Sequence, residues 1–84
     1  MTSVNVTVVY FAQAREFAER AEEEFVLTSP AHVEQLLSAV MKTHPKLSRI
    51  RQIIRTMVNG RPVVESDELK DGDRVALLPP VAGG

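Results

Sequence analysis

Strand-forming segments stand near both ends of this chain, with one amphipathic helix between them. Val4, Val6, Val8 and Tyr10 alternate with Asn5, Thr7, Val9 and Phe11. That period of two in β-branched and aromatic residues predicts a strand, half-buried at its start and apolar on both faces toward its end. Val33, Leu36, Leu37, Val40 and Met41 fall at i, i+3, i+4, i+7 and i+8, a single apolar stripe on a helix expected to end near Thr43 to Pro45. Arg74 to Leu78 reads as the last strand, entered through a turn at Leu69-Lys70-Asp71-Gly72-Asp73. With 84 residues, 44% of them apolar, the chain is expected to build one small core, with no room for a second domain.

The remaining segments fill in the order. Ala12 to Glu22 suits a short helix, and Glu23 to Leu27 a second strand with Phe25 and Leu27 facing inward. The two strands are expected to pair antiparallel across a wide connection. Thr28-Ser29-Pro30 carries a helix-start signal, a hydroxyl able to cap free N–H groups and a proline where no donor is needed. After Pro45, the spacing of Leu47, Ile50, Ile53 and Ile54 predicts a helical turn leading into a strand over 55–59. Asn59-Gly60 is a hairpin turn, and Arg61 to Val64 a short strand that Pro62 assigns to an edge. The whole is α+β, a mixed sheet on one main helix with the first and last strands central and parallel, as in a ubiquitin-like β-grasp domain. Residues 1–78 are expected to form this domain and residues 79–84 an extended Gly-Gly tail.

That tail is the chemical feature. Pro79 and Pro80 fix φ and remove two donors, predicting a stiff stalk, and Val81 and Ala82 lead to Gly83 and Gly84. Lacking Cβ atoms, the paired glycines can pass through a channel too narrow for a side chain. The α-carboxylate of Gly84 is therefore the expected reactive group, delivered into another protein's active site. A frayed terminus is the alternative.

Other chemistry finds little support. There is no cysteine, which removes disulfides, thiolate metal sites and thiol nucleophiles. Sulfur chemistry on this chain would have to run through its C-terminus. His32 and His44 stand twelve positions apart with no well-spaced carboxylate, so no metal site is expected and both read as surface residues. Glu22-Glu23-Glu24 and the acidic groups at Glu65, Asp67, Glu68, Asp71 and Asp73 read as solvated. No helix follows the terminal glycines to hold a phosphate. Catalysis confined to this chain is not expected. With a net charge of -1, no nucleic-acid or membrane partner is expected either. Nor is a signal or membrane segment, so a cytoplasmic location is the expectation. One asymmetry stands out: residues 35–64 hold no acid but carry Lys42, Lys46, Arg49, Arg51, Arg55 and Arg61; with no basic net charge and no aromatic residue between the arginines this reads as a solvated rim, the alternatives being a nucleic-acid patch or a dock for an acidic surface.

The stretch Val8-Val9-Tyr10-Phe11-Ala12-Gln13-Ala14-Arg15-Glu16 and the ending from Leu69 to Gly84, with Asp-Gly-Asp, Val-Ala, Pro-Pro-Val and Gly-Gly, resemble the small, MoaD-type subunit of molybdopterin synthase. Ala82 departs from the usual Ser or Thr, and Ala18 from a frequent Gly. The resemblance implies a β-grasp sulfur carrier with no bound cofactor. A MoeB-like enzyme would adenylate Gly84 with ATP, and the resulting acyl-adenylate would become a thiocarboxylate. The tail, Pro80 to Gly83 with Gly84, would then enter the large MoaE-type subunit of a heterotetramer and give sulfur to cyclic pyranopterin monophosphate, forming molybdopterin. This chain would be the sulfur-donor subunit and the catalytic groups would belong to the partner. Phe11, Pro62 and Leu78 are the expected partner-binding patch, with Phe11 covering the sheet end as the alternative. A sulfur carrier for thiamine, cysteine or tRNA thiolation shares the Gly-Gly ending, as does a ubiquitin-like protein modifier; the Pro-Pro-Val and Phe-Ala-Gln-Ala-Arg-Glu segments favour molybdopterin.

Overall fold

A computed structural model describes residues 2–80. The elements run β1 (Ser3–Tyr10), α1 (Ala12–Ala18), β2 (Glu22–Thr28), β3 (Ala31–His32), α2 (Val33–Thr43), a 3-10 segment (Pro45–Ile53), β4 (Arg55–Val58), β5 (Arg61–Pro62), β6 (Glu68–Leu69) and β7 (Arg74–Leu78). Five strands form one sheet in the order β2-β1-β7-β4-β5, and β3 pairs with β6 in a separate two-strand ladder. β1 and β7 lie side by side and parallel, with Val8 opposite Val75 and Tyr10 opposite Leu77. All other pairs in the sheet are antiparallel.

Alternation explains which face is covered. Val4, Val6, Val8 and Tyr10 of β1, with Val75 and Leu77 of β7, are buried against the α2 stripe of Val33, Leu36, Leu37, Val40 and Met41. Phe25, Leu27, Ile54 and Val58 pack at the margin of this core. Leu47 and Ile50 drop into it from the 3-10 segment. Both helices and the 3-10 segment thus cover one face, and among the described residues the other face has no layer of its own.

Several boundaries differ from the sequence reading. α2 begins at Val33 rather than beside Pro30, because Ala31 and His32 are used as strand, paired with Leu69 and Glu68. Its first N–H groups are satisfied from a distant loop, Val33 donating to the Asp67 carbonyl and Glu34 to the Glu65 carbonyl, each at 2.9 Å. Gln35 accepts the His32 N–H at 2.6 Å, so the hydroxyls of Thr28 and Ser29 are not the cap. α1 stops at Ala18, where Glu19 takes a left-handed conformation with φ 60°. β5 ends at Pro62, since Val64 donates its N–H to Asp67 Oδ2 at 2.8 Å instead of to a ladder. Asn59-Gly60 forms the expected hairpin turn, both residues at positive φ (51° and 83°).

Candidate functional site

The strand that leads into the tail is the middle of the sheet. β7 is bonded to β1 on one side and to β4 on the other, with Leu78 opposite Arg55 as its last paired residue. Pro79 is still buried and Pro80 is exposed. The stalk therefore leaves from a strand bonded on both sides. Val81, Ala82, Gly83 and Gly84 lie outside the described residues.

Beside that exit, the uncovered face of the sheet carries an apolar row. The register aligns Val9 of β1 with Ala76 of β7, Ala76 with Met57 of β4, and Met57 with Pro62 of β5. Glu22 of β2 closes the row beyond Val9. Val9, Ala76 and Met57 are half-buried with no helix over them, and Pro62 is exposed. Phe11, 43% exposed, sits at the start of α1 with its N–H on the Leu77 carbonyl at 3.2 Å. Its ring lines a hollow with Val9 and Ala76. Leu78 and Pro62 line a neighbouring groove. The three residues expected to bind a partner are thus placed around one open face, in two adjoining depressions. Sequence reasoning missed Val9, Ala76 and Met57. The signal was present, since they are out of phase with the buried set in their own strands.

On the covered side, one polar cluster is built into the core margin. His44 Nε2 lies 2.6 Å from Glu23 Oε1, and both side chains are only 15% exposed. The Tyr10 hydroxyl donates to the same oxygen at 2.9 Å. Arg20 reaches the other oxygen at 3.4 Å, and the Tyr10 and His44 rings meet edge to face at 5.7 Å. His44 is therefore not a surface residue, and Glu23 is not a solvated turn carboxylate. Burial pushes the Glu23 carboxyl up, but the His44 and Tyr10 hydrogen bonds, with the charges of His44 and Arg20, outweigh it and hold the group below its ordinary value. Burial first, then the bond to Glu23 and its charge, push the Tyr10 phenol well above its ordinary range. The arrangement ties β1, β2 and the end of α2 together. It faces away from the tail's apolar row and offers no nucleophile.

Among the described residues there is no group of three or more His, Asp or Glu placed to hold a metal ion. No helix among them is long and apolar enough to cross a membrane.

The model of the ThiS family matches residues 8–84, which is nearly the whole chain. The chain belongs to the ThiS family. Within it, this chain is 39% identical to the molybdopterin synthase sulfur carrier subunit of Chlamydomonas reinhardtii, covering 96% of this chain and 100% of that protein. It is 34% identical to the subunit of the same name from Mycobacterium tuberculosis, over 96% and 99% of the two chains. Among solved structures it superposes on a putative molybdopterin converting factor, subunit 1, from Pyrococcus furiosus with a TM-score of 0.85 at 38% identity, covering 93% and 99% of the chains. Small archaeal modifier protein 1 of Haloferax volcanii gives 0.85 at 27% identity, over 93% and 99%. A protein–protein complex of subunits 1 and 2 of the molybdopterin-converting factor from Helicobacter pylori gives 0.65 at 27% identity, over 96% and 100%. This ThiS-family chain has the ubiquitin-like β-grasp fold that its element order predicted.

Proposed function

We propose that this chain is the sulfur carrier subunit of molybdopterin synthase, acting in molybdenum cofactor biosynthesis. The observation that carries the reading is the full-length match to relatives of that name, in a fold whose central strand feeds the Pro-Pro-Val-Ala-Gly-Gly segment. A carboxylate is a poor acyl donor, so it needs activation. In the proposed cycle the Gly84 carboxylate attacks ATP on a MoeB-like enzyme and releases pyrophosphate. A sulfur donor then displaces AMP from the acyl-adenylate, leaving the thiocarboxylate. ATP serves the activating partner and is not a cofactor of this chain.

The loaded tail, from Pro80 through Gly84, enters the large MoaE-type subunit, where sulfur passes to cyclic pyranopterin monophosphate. Each product takes two sulfurs, so the carrier acts twice and is recharged. The open sheet face supports docking of both partners, with Phe11, Pro62 and Leu78 around the Val9–Ala76–Met57 row. The Helicobacter pylori complex is the precedent for assembly with a second subunit, and a two-plus-two heterotetramer is the proposed form. Catalytic acids and bases belong to the large subunit. The test is reconstitution: thiocarboxylated chain, large subunit and cyclic pyranopterin monophosphate should yield molybdopterin. The chain lacking Gly83 and Gly84 should yield none, and product from that deletion would overturn the reading.

The close superposition on small archaeal modifier protein 1 favours one second reading, a modifier that joins its C-terminus to lysines. Isopeptide conjugates of this chain in cell lysate, lost when Gly84 is removed, would mark that activity.

A further inference from the structure

The groove lined by Leu78 and Pro62 extends beyond the sheet face, and its far end has a different character. It encloses about 720 Å³, the size of a site for a few side chains rather than a whole domain. Val33 and Leu37 of α2 form its floor, and Ile54, Val63 and Val64 its walls. Val64 is 64% exposed, and Ile53 next to the groove is 52% exposed, two of four large apolar side chains left in water among the described residues. The groove is therefore apolar inside.

Its rim is cationic. Arg51, Gln52 and Arg55 line it, and Glu65 is the one acid among its described lining residues. Glu65 is already engaged with Arg51 at 3.5 Å. Among the described residues, Arg55, Arg49 and Lys46 have no ion pair. Three residues per 3-10 turn stack Lys46, Arg49 and Gln52 in one column, so positive charge continues from the groove along the 3-10 segment. No acid occurs from Gln35 to Val64 to neutralise it. The edge offers no strand addition: Pro62 has no N–H, Val63 donates to the Thr56 carbonyl at 3.1 Å and Val64 to Asp67 Oδ2. Recognition there rests on apolar filling and charge.

We propose that this groove is a docking site for a short acidic segment of a partner protein, its large apolar side chains filling the space over Val33 and Leu37 and its carboxylates meeting Arg55 and the Lys46–Arg49 column. Charge complementarity selects the acidic partner. The apolar lining, with no aromatic platform, selects protein over nucleic acid. The inference holds whether or not the chain carries sulfur.

The probe is the synthetic peptide acetyl-Glu-Leu-Glu-Leu-Glu-amide, titrated into the ¹⁵N-labelled full chain and followed by amide chemical shifts. Shifts centred on Gln52, Ile54, Val63 and Val64 are expected, weakening as salt is added. Arg55→Glu and, separately, Arg49→Glu, both at exposed positions, should each lower affinity about fivefold or more while leaving the spectrum folded. Shifts mapping elsewhere, or none at millimolar peptide, would overturn the proposal. So would equal binding of the peptide with Lys in place of Glu, or tighter binding of an oligothymidylate at the same amides.

Discussion

His44, just past the end of α2, holds Glu23 of β2 at 2.6 Å across 21 positions of sequence. That contact, with the Tyr10 hydroxyl on the same oxygen, fastens the helix to the sheet at the end opposite the α2 N-terminus, where Val33 and Glu34 are held by the 65–67 loop. The main helix is thus fixed at both ends by groups remote in sequence.

Glu23→Gln should destabilise the domain by about 1.5–3 kcal/mol at neutral pH, the usual worth of a hydrogen bond to a charged group. The carboxyl is held below its ordinary value in the folded chain. Its contribution is therefore full above the unfolded value of 4.5 and is lost as pH falls through the lower native value. Urea denaturation at pH 7 and at stepwise lower pH should show the gap between wild type and variant closing on acidification. A gap that widens would contradict the assignment.

Tyr10 is the only tyrosine, and there is no tryptophan, so phenolate absorbance reports this one group. The folded chain holds the phenol neutral well past its ordinary value of 10.0. An acid whose folded value is raised contributes stability that is complete below the unfolded value and declines as pH rises toward the folded one. In an alkaline titration the phenolate signal should appear together with loss of far-ultraviolet circular dichroism. Ionisation at the ordinary value in a folded chain would refute the burial and hydrogen bonding described.

Leu47 and Ile53 share the 3-10 segment but not the core. Leu47 is fully buried and Ile53 is 52% exposed. Leu47→Ala should cost about 2–4 kcal/mol, as for a cavity in a packed interior, and Ile53→Ala less than about 0.5 kcal/mol. Chemical denaturation of the two variants measures the contrast directly.

Phe11→Asp, Met57→Asp and Leu78→Asp should each weaken association with the large subunit by about tenfold or more, as expected for apolar residues at the centre of an interface. Phe11→Asp should leave the fold intact, because that side chain is 43% exposed and stands outside the core cluster. Calorimetric titration of each variant against the large subunit, with circular dichroism as the folding control, provides the check. Unchanged affinity in all three would move the interface off this face.

β1, β2, β7 and α2 are legible because each repeats a burial pattern over five or more residues. Val8, Tyr10, Val75, Leu77 and the Val33-to-Met41 stripe are all buried as their periods predict. What escaped is short or long-range. A two-residue ladder such as β3–β6 carries no period, so the sequence pattern alone starts α2 beside Pro30. His44 looked like a surface residue because its partner lies 21 positions away. The open-face row became visible only with the register, which sets Val9, Ala76, Met57 and Pro62 side by side. Phe11 and Leu78 follow from alternation, as apolar positions opposite the Val8, Tyr10, Val75 and Leu77 set, and Pro62 from its edge position; the fold places all three around the open face.

The central claim is that the Gly84 carboxylate carries sulfur. Intact mass spectrometry of the chain after incubation with ATP, a sulfur donor and a MoeB-like activating enzyme tests it directly, with the chain lacking Gly84 as control. A mass increase equal to replacing one oxygen by sulfur, absent from the control, is the predicted result. No increase with an enzyme shown to be active on its own carrier, or the same increase in the control, would contradict it.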